Sequence, residues 1–77
     1  MAHLINIKAG KEVQIEKTSD YQAVYKMLMA YGIFEGKSFK VLRNDKWQQM
    51  ILVESKGKRI AIRKKDAASI KVQLING

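Results

Sequence analysis

Seventy-seven residues with no cysteine and no proline leave room for one thin core, because a chain this small buries only about 60% of the surface its unfolded form exposes. Disulfide staples and thiolate metal sites are excluded. Fifteen Lys and Arg against seven Asp and Glu give a net charge of +8, which favours an acidic protein, a nucleic acid or an anionic membrane surface as partner.

At 47% hydrophobic residues the composition is that of an ordinary globular domain, and one domain over residues 1–77 is expected. Met1-Ala2-His3 carries no basic lead, and Leu4 to Ile7 is too short for the apolar centre of a signal peptide. No stretch approaches the roughly 20 apolar residues of a membrane helix. The expectation is a cytoplasmic chain without membrane insertion, its first residues frayed.

Leu4 to Gly10 reads as a lead-in segment closed by a glycine turn. Lys11 to Lys17 alternates, with Val13 and Ile15 on one side and Glu12, Gln14 and Glu16 on the other, the pattern of a half-buried strand. Ser19 or Asp20 is placed to cap a helix. Tyr21 to Tyr31 lacks strand alternation and stops at Gly32, which predicts about three helical turns ended by a left-handed glycine. Lys37 to Arg43 predicts a strand with Phe39 and Val41 inward, and Asn44-Asp45-Lys46 a turn. Gln49 to Ser55 and Lys58 to Arg63 predict two strands joined by a tight Lys56-Gly57 hairpin. Their inward residues are Ile51, Val53, Ile60 and Ile62. Lys64 to Ser69 reads as a short helical turn. Ile70 to Leu74 is the closing strand, with Ile70, Val72 and Leu74 inward. Short antiparallel strands with tight turns close most economically as a barrel. The fold expected is therefore mainly β: a small barrel of about five strands, one inserted helix and a helical turn before the last strand.

Catalysis has little to stand on. The lone histidine is His3, and neither a glycine-rich phosphate loop nor a Gly-x-Ser-x-Gly elbow is present. No enzyme activity and no cofactor are expected. Glu12 and Glu16 share a strand face but sit about 13 Å apart, whereas oxygen ligands approach a cation to roughly 2.0–2.6 Å. No metal site is expected, and these carboxylates read as a solvated face.

Surfaces carry the function instead. On the helix, Val24, Met27, Leu28 and Tyr31 form one stripe. Tyr21, Tyr25 and Met29 widen the apolar arc to about 200°, against the roughly 100° a surface helix needs. Either the long side chains wrap the barrel end, or the Tyr21, Tyr25 and Met29 side meets another protein or a second copy of the chain. On the docking view Tyr25→Ala weakens association and spares the fold. Lys40, Arg59, Arg63 and Lys71 on strands, Lys56 and Lys58 at the hairpin, and Lys64 and Lys65 at the helical turn fall on outward positions. Arg59, Arg63 and Lys64 are the basic candidates for a partner contact. A nucleic-acid platform also needs stacking aromatics among such charges. Phe39 is inward and Trp47 is expected to plug its loop, so nucleic acid is disfavoured.

Three segments resemble the FeoA (ferrous iron transport protein A) family. They are Leu4-x-x-Ile7-x-x-Gly10-x-x-x-x-Ile15, then Leu28-x-x-Tyr31-Gly32-Ile33-x-x-Gly36, then Ile60-Ala61-Ile62-Arg63 followed by Asp66-Ala67-x-x-Ile70-x-Val72. Tyr31 and Glu35 stand where that family usually has an aliphatic residue and a proline, and Met27 where it often has arginine. The resemblance implies an SH3-like barrel. It also implies a non-enzymatic accessory or regulator docking on the cytosolic part of the membrane ferrous iron transporter (FeoB), which has a GTP-binding cytosolic domain. The same module resembles the C-terminal SH3-like domain of iron-dependent repressors. Alternatives are a basic nucleic-acid-binding barrel and a homo-oligomeric scaffold.

Overall fold

Apolar residues alternate at Phe39 and Val41, at Ile51 and Val53, and at Ile60 and Ile62, which requires three strands buried on one face, and Gly57 permits the reversal between the last two. A computed structural model of the chain describes residues 2–16 and 22–75. Among these, six strands form one antiparallel sheet: β1 Ala2–His3, β2 Glu12–Ile15, β3 Ser38–Arg43, β4 Met50–Ser55, β5 Lys58–Arg63 and β6 Lys71–Leu74, in the spatial order β1-β6-β2-β3-β4-β5. A helix α1, Gln22–Ala30, is inserted between β2 and β3, and a single helical turn α2, Lys64–Ala67, links β5 to β6. The sheet curls around one core, in which Leu4, Leu28, Ile33, Phe39, Ile51, Ile62 and Ile70 are fully or almost fully buried. This is the expected SH3-like barrel.

The stop of α1 explains how the helix is held. Ile33 N–H donates to the Leu28 carbonyl and Gly32 N–H to that of Met29, both at 2.9 Å, with Gly32 at φ +82°. These two bonds satisfy carbonyls the helix end would otherwise leave open, and the accompanying apolar contact is between Leu28 and Ile33. Both side chains lie wholly inside the core, so the helix terminus is fastened to the barrel by the motif that ends it. Tyr31 lies outside the helix as its cap, and Tyr21, Ser19 and Asp20 lie outside the described residues.

Two expectations at the chain ends are corrected. Ala2 and His3 are not frayed: they pair with Val72 and Lys71 of β6. Leu4 N–H donates to the Ile70 carbonyl at 2.8 Å. A 3-10 turn, Leu4–Asn6, follows. It is tied down from the far side by Asn44, whose Nδ2 donates to the carbonyls of Ile5 (3.1 Å) and Ile7 (2.6 Å). Leu74 keeps inward parity beside Val13 but is half exposed, because its strand has run past the rim of the barrel by that point.

The β4–β5 hairpin turns on Lys56 (φ 52°) and Gly57 (φ 80°), two positive φ values in a two-residue loop, as the twist of the flanking strands requires. Lys56 pays for this, since a non-glycine residue in that region costs about 1–2 kcal/mol, whereas asparagine tolerates it. Lys56→Asn is expected to stabilise the protein by about 0.5–1 kcal/mol, roughly 2–8 °C in melting temperature. Thermal unfolding followed by circular dichroism measures it.

Candidate functional site

The outer face of β3, β4 and β5 is built by cross-strand register. Lys40 lies opposite Glu54 on β4. On the other side of β4, Glu54 faces Arg59, Leu52 faces Ala61 and Met50 faces Arg63. The β3 register shifts between Val41 and Arg43. This bulge adds one residue against the partner strand and re-aims the side chain beyond it, so Arg43 comes to lie opposite Leu52. The result is a shallow groove of about 280 Å³ lined by Arg43, Asp45, Gln48, Met50, Leu52 and Ala61.

Charge surrounds this apolar floor. Residues 40–66 hold nine Lys or Arg and three Asp or Glu, a net +6 of the chain's +8. The Arg43 guanidinium grips Asp45 Oδ2 through Nη2 at 2.8 Å and Nε at 3.1 Å. Arg63 Nε reaches Oδ2 of the buried Asp66 at 3.2 Å, yet the arginine side chain stays 65% exposed. Arg59 approaches Glu54 at 3.7 Å and is 70% exposed. The exposed Arg43–Asp45 and Arg59–Glu54 pairs contribute little, and the exposed Arg59 and Arg63 side chains stay available to a partner.

The six residues singled out from sequence do not form one cluster. Arg59 and Arg63 share the outer face of β5. Lys64 stands beside them but is engaged: its Nζ donates to the Asp45 carbonyl at 2.6 Å, pinning the β3–β4 loop to α2. Met29 is 59% exposed on α1. Tyr25 is half-buried against the core, and its hydroxyl oxygen accepts a hydrogen bond from the Lys71 N–H at 3.2 Å. Tyr21 lies outside the described residues.

The position of Tyr25 changes what its removal should do. Tyr25→Ala now predicts a loss of about 2–3 kcal/mol, from core contact plus a hydrogen bond of about 1 kcal/mol. Tyr25→Phe isolates the hydrogen bond at about 1 kcal/mol. Urea denaturation of both variants measures the two contributions.

Sequence reasoning missed two exposed groups. Trp47 does not plug its loop: it is 85% exposed, with the Lys46 ammonium 5.7 Å from its ring centroid. The turn closed by Gln48 N–H to the Asp45 carbonyl presents this side chain to solvent. At the end of α1, Tyr31 and Phe34 extend the exposed surface begun by Met29, and Lys37 Nζ sits 5.4 Å above the Phe34 ring. The tripeptide before Gly36 could have signalled this, since Phe34 follows the residue that closes the core.

Among the described residues no group of three His, Cys, Asp or Glu is placed to hold a metal ion. Glu12 is exposed, but Glu16 is not on a solvated face as expected. It is half-buried, with Oε2 buried and without a hydrogen-bond partner among the described residues. No helix among the described residues is long and apolar enough to cross a membrane.

Comparison with known proteins agrees with this fold. A family model described as the FeoA domain matches residues 2–74. The FeoA protein of Chlorobium tepidum, solved by solution NMR, is 29% identical, with a TM-score of 0.84 over 99% of this chain and 72% of that one. A crystal structure of an iron uptake regulatory protein (FeoA) is 20% identical, with a TM-score of 0.81 over 96% of this chain and 97% of that one. A crystal structure of ScaR with bound zinc is 21% identical, with a TM-score of 0.83 over 97% of this chain. This chain spans only 37% of ScaR's length. No curated protein sequence matches the chain.

Proposed function

The chain belongs to the FeoA family, and from that premise we propose that it is a non-enzymatic accessory of ferrous iron uptake that docks on the cytosolic part of a membrane ferrous iron transporter with a GTP-binding domain. The observation that carries this reading is the family match over residues 2–74. The surface supports it: six of the eight net positive charges lie within residues 40–66, framing an apolar groove on a rigid sheet. Arg59 and Arg63 supply charge that steers association. Met29, with Tyr31 and Phe34, supplies a second apolar area, while Tyr25 and Lys64 hold the scaffold. The work of such a protein is contact, in the cytoplasm, and it requires no reacting group of its own.

Titration calorimetry against the purified GTP-binding cytosolic domain of the transporter tests the reading. Binding is expected, and it should weaken by about tenfold or more between 0.05 and 0.3 M salt, because exposed charges are screened beyond about 10 Å at 0.1 M. Absence of binding at both salts removes the docking reading. Salt-insensitive binding removes the basic face from it.

A second reading is favoured by Trp47, exposed beside Lys46, since an aromatic next to a cation is an element of a base-stacking platform. A gel shift with single-stranded and duplex probes at physiological salt decides it: micromolar or tighter binding supports nucleic acid. A homo-oligomeric scaffold is tested by light scattering.

A further inference from the structure

We infer that the outer edge of β5 receives an acidic, extended segment of a partner protein as an added strand. The inference deepens the docking reading and rests on it, by naming the element that docks and the chemistry it takes.

β5 ends the sheet: β4 is its neighbour on one side, and no backbone hydrogen bond among the described residues reaches its other side. The direction of its free groups follows from register. Lys64 N–H donates to the Gln49 carbonyl at 2.9 Å, in line with the pairs that place Ile62 opposite Ile51 and Ile60 opposite Val53. In an antiparallel ladder, residues alternate between bonding the neighbour and pointing away from it. Ile60 and Ile62 therefore bond β4, and the backbones of Arg59 and Ala61, with the Arg63 N–H, point outward. All three residues are exposed, and no proline removes a backbone donor from this edge, while its basic side chains disfavour basic strands.

The side chains choose the occupant. A strand pairing with Arg59, Ala61 and Arg63 puts its own side chains opposite theirs on the outer face. Ala61 leaves space there, at the border of the Leu52 groove, and the two arginines favour carboxylates. A second copy fits poorly. Antiparallel pairing centred on Ala61 sets Arg59 of each copy against Arg63 of the other, and like charges directly opposite repel. A nucleic acid has no ladder of alternating N–H and C=O groups with which to use a strand edge, whereas an extended peptide does.

The test is amide hydrogen exchange by NMR on the whole chain, alone and with a blocked octapeptide alternating glutamate and valine. A lysine–valine octapeptide and an eight-nucleotide thymidine strand serve as comparisons. The acidic peptide is expected to slow exchange at the Arg59, Ala61 and Arg63 amides at least tenfold, and the lysine peptide to leave them unchanged. The double variant Arg59→Glu/Arg63→Glu, folded as judged by its melting, should lose the protection by the acidic peptide. Protection absent at saturating acidic peptide overturns the inference, as does equal protection by the lysine peptide. Protection by the thymidine strand alone assigns the face to nucleic acid and overturns it too. So does an edge already protected in the free chain at a concentration where light scattering reports a dimer. The transporter domain separates the two levels. If it binds wild type and the double variant equally, docking stands and the edge does not. If it binds neither while the acidic peptide protects β5, the edge stands and the choice of partner fails.

Discussion

Phe39→Ala is expected to destabilise the protein by about 3–5 kcal/mol and to leave much of it unfolded at 37 °C. Phe39 is a large side chain of the core, 2% exposed, and its strand is bonded on both sides: β3 pairs with β2 and with β4. Truncating the ring removes its transfer free energy and leaves a cavity that strands bonded on both sides cannot collapse to fill. A domain of this length has only about 4–12 kcal/mol of total stability, so a single deletion consumes a large share. Phe39→Leu, which keeps most of the volume, should cost no more than about 1.5 kcal/mol. Urea midpoints of the two variants measure the difference. A change below about 1 kcal/mol for Phe39→Ala would contradict the barrel as described.

The second large effect concerns binding. Arg59→Glu combined with Arg63→Glu is expected to weaken association with the transporter's GTP-binding domain by about 2–3 kcal/mol, roughly 30- to 150-fold, while melting stays within a few degrees of wild type. Both side chains are mostly exposed, so the fold gains little from them. Reversal turns two attractions into repulsions at the centre of the basic face. The partner of Arg63, Asp66, is buried, so some stability is lost there. The single variant Arg59→Glu, whose partner Glu54 is itself exposed, isolates the binding effect. Calorimetry with the same domain distinguishes the outcomes, and unchanged affinity would place the contact elsewhere on the chain.

Much of this architecture was legible from residue order. Lys58–Arg63 alternates isoleucine with arginine and alanine so regularly that its bounds are recovered as observed. Gly32 marks the end of α1 because only a residue free to adopt positive φ completes the two closing bonds. What escaped depends on distant pairing. Ala2–His3 is too short to show alternation and owes its strand to β6, some 70 residues away. Leu74 has inward parity, but parity cannot say where the barrel ends. Tyr25 reads as surface by helical angle, yet the Lys71 amide that fixes its hydroxyl comes from another strand. The basic face was legible as charge, but its concentration around a groove depends on the β3 bulge that brings Arg43 opposite Leu52, and Trp47 became visible as an exposed group only once its turn was in place.

On the proposed function, this protein acts by touching a partner through the basic outer face of β3–β5. Titrating wild-type chain into the purified GTP-binding cytosolic domain, with amide exchange recorded on the same mixture, tests it most directly. A saturable complex that weakens with salt and that slows exchange along β5 is expected. A complex that leaves Arg59, Ala61 and Arg63 unprotected, or no complex at all, would contradict it.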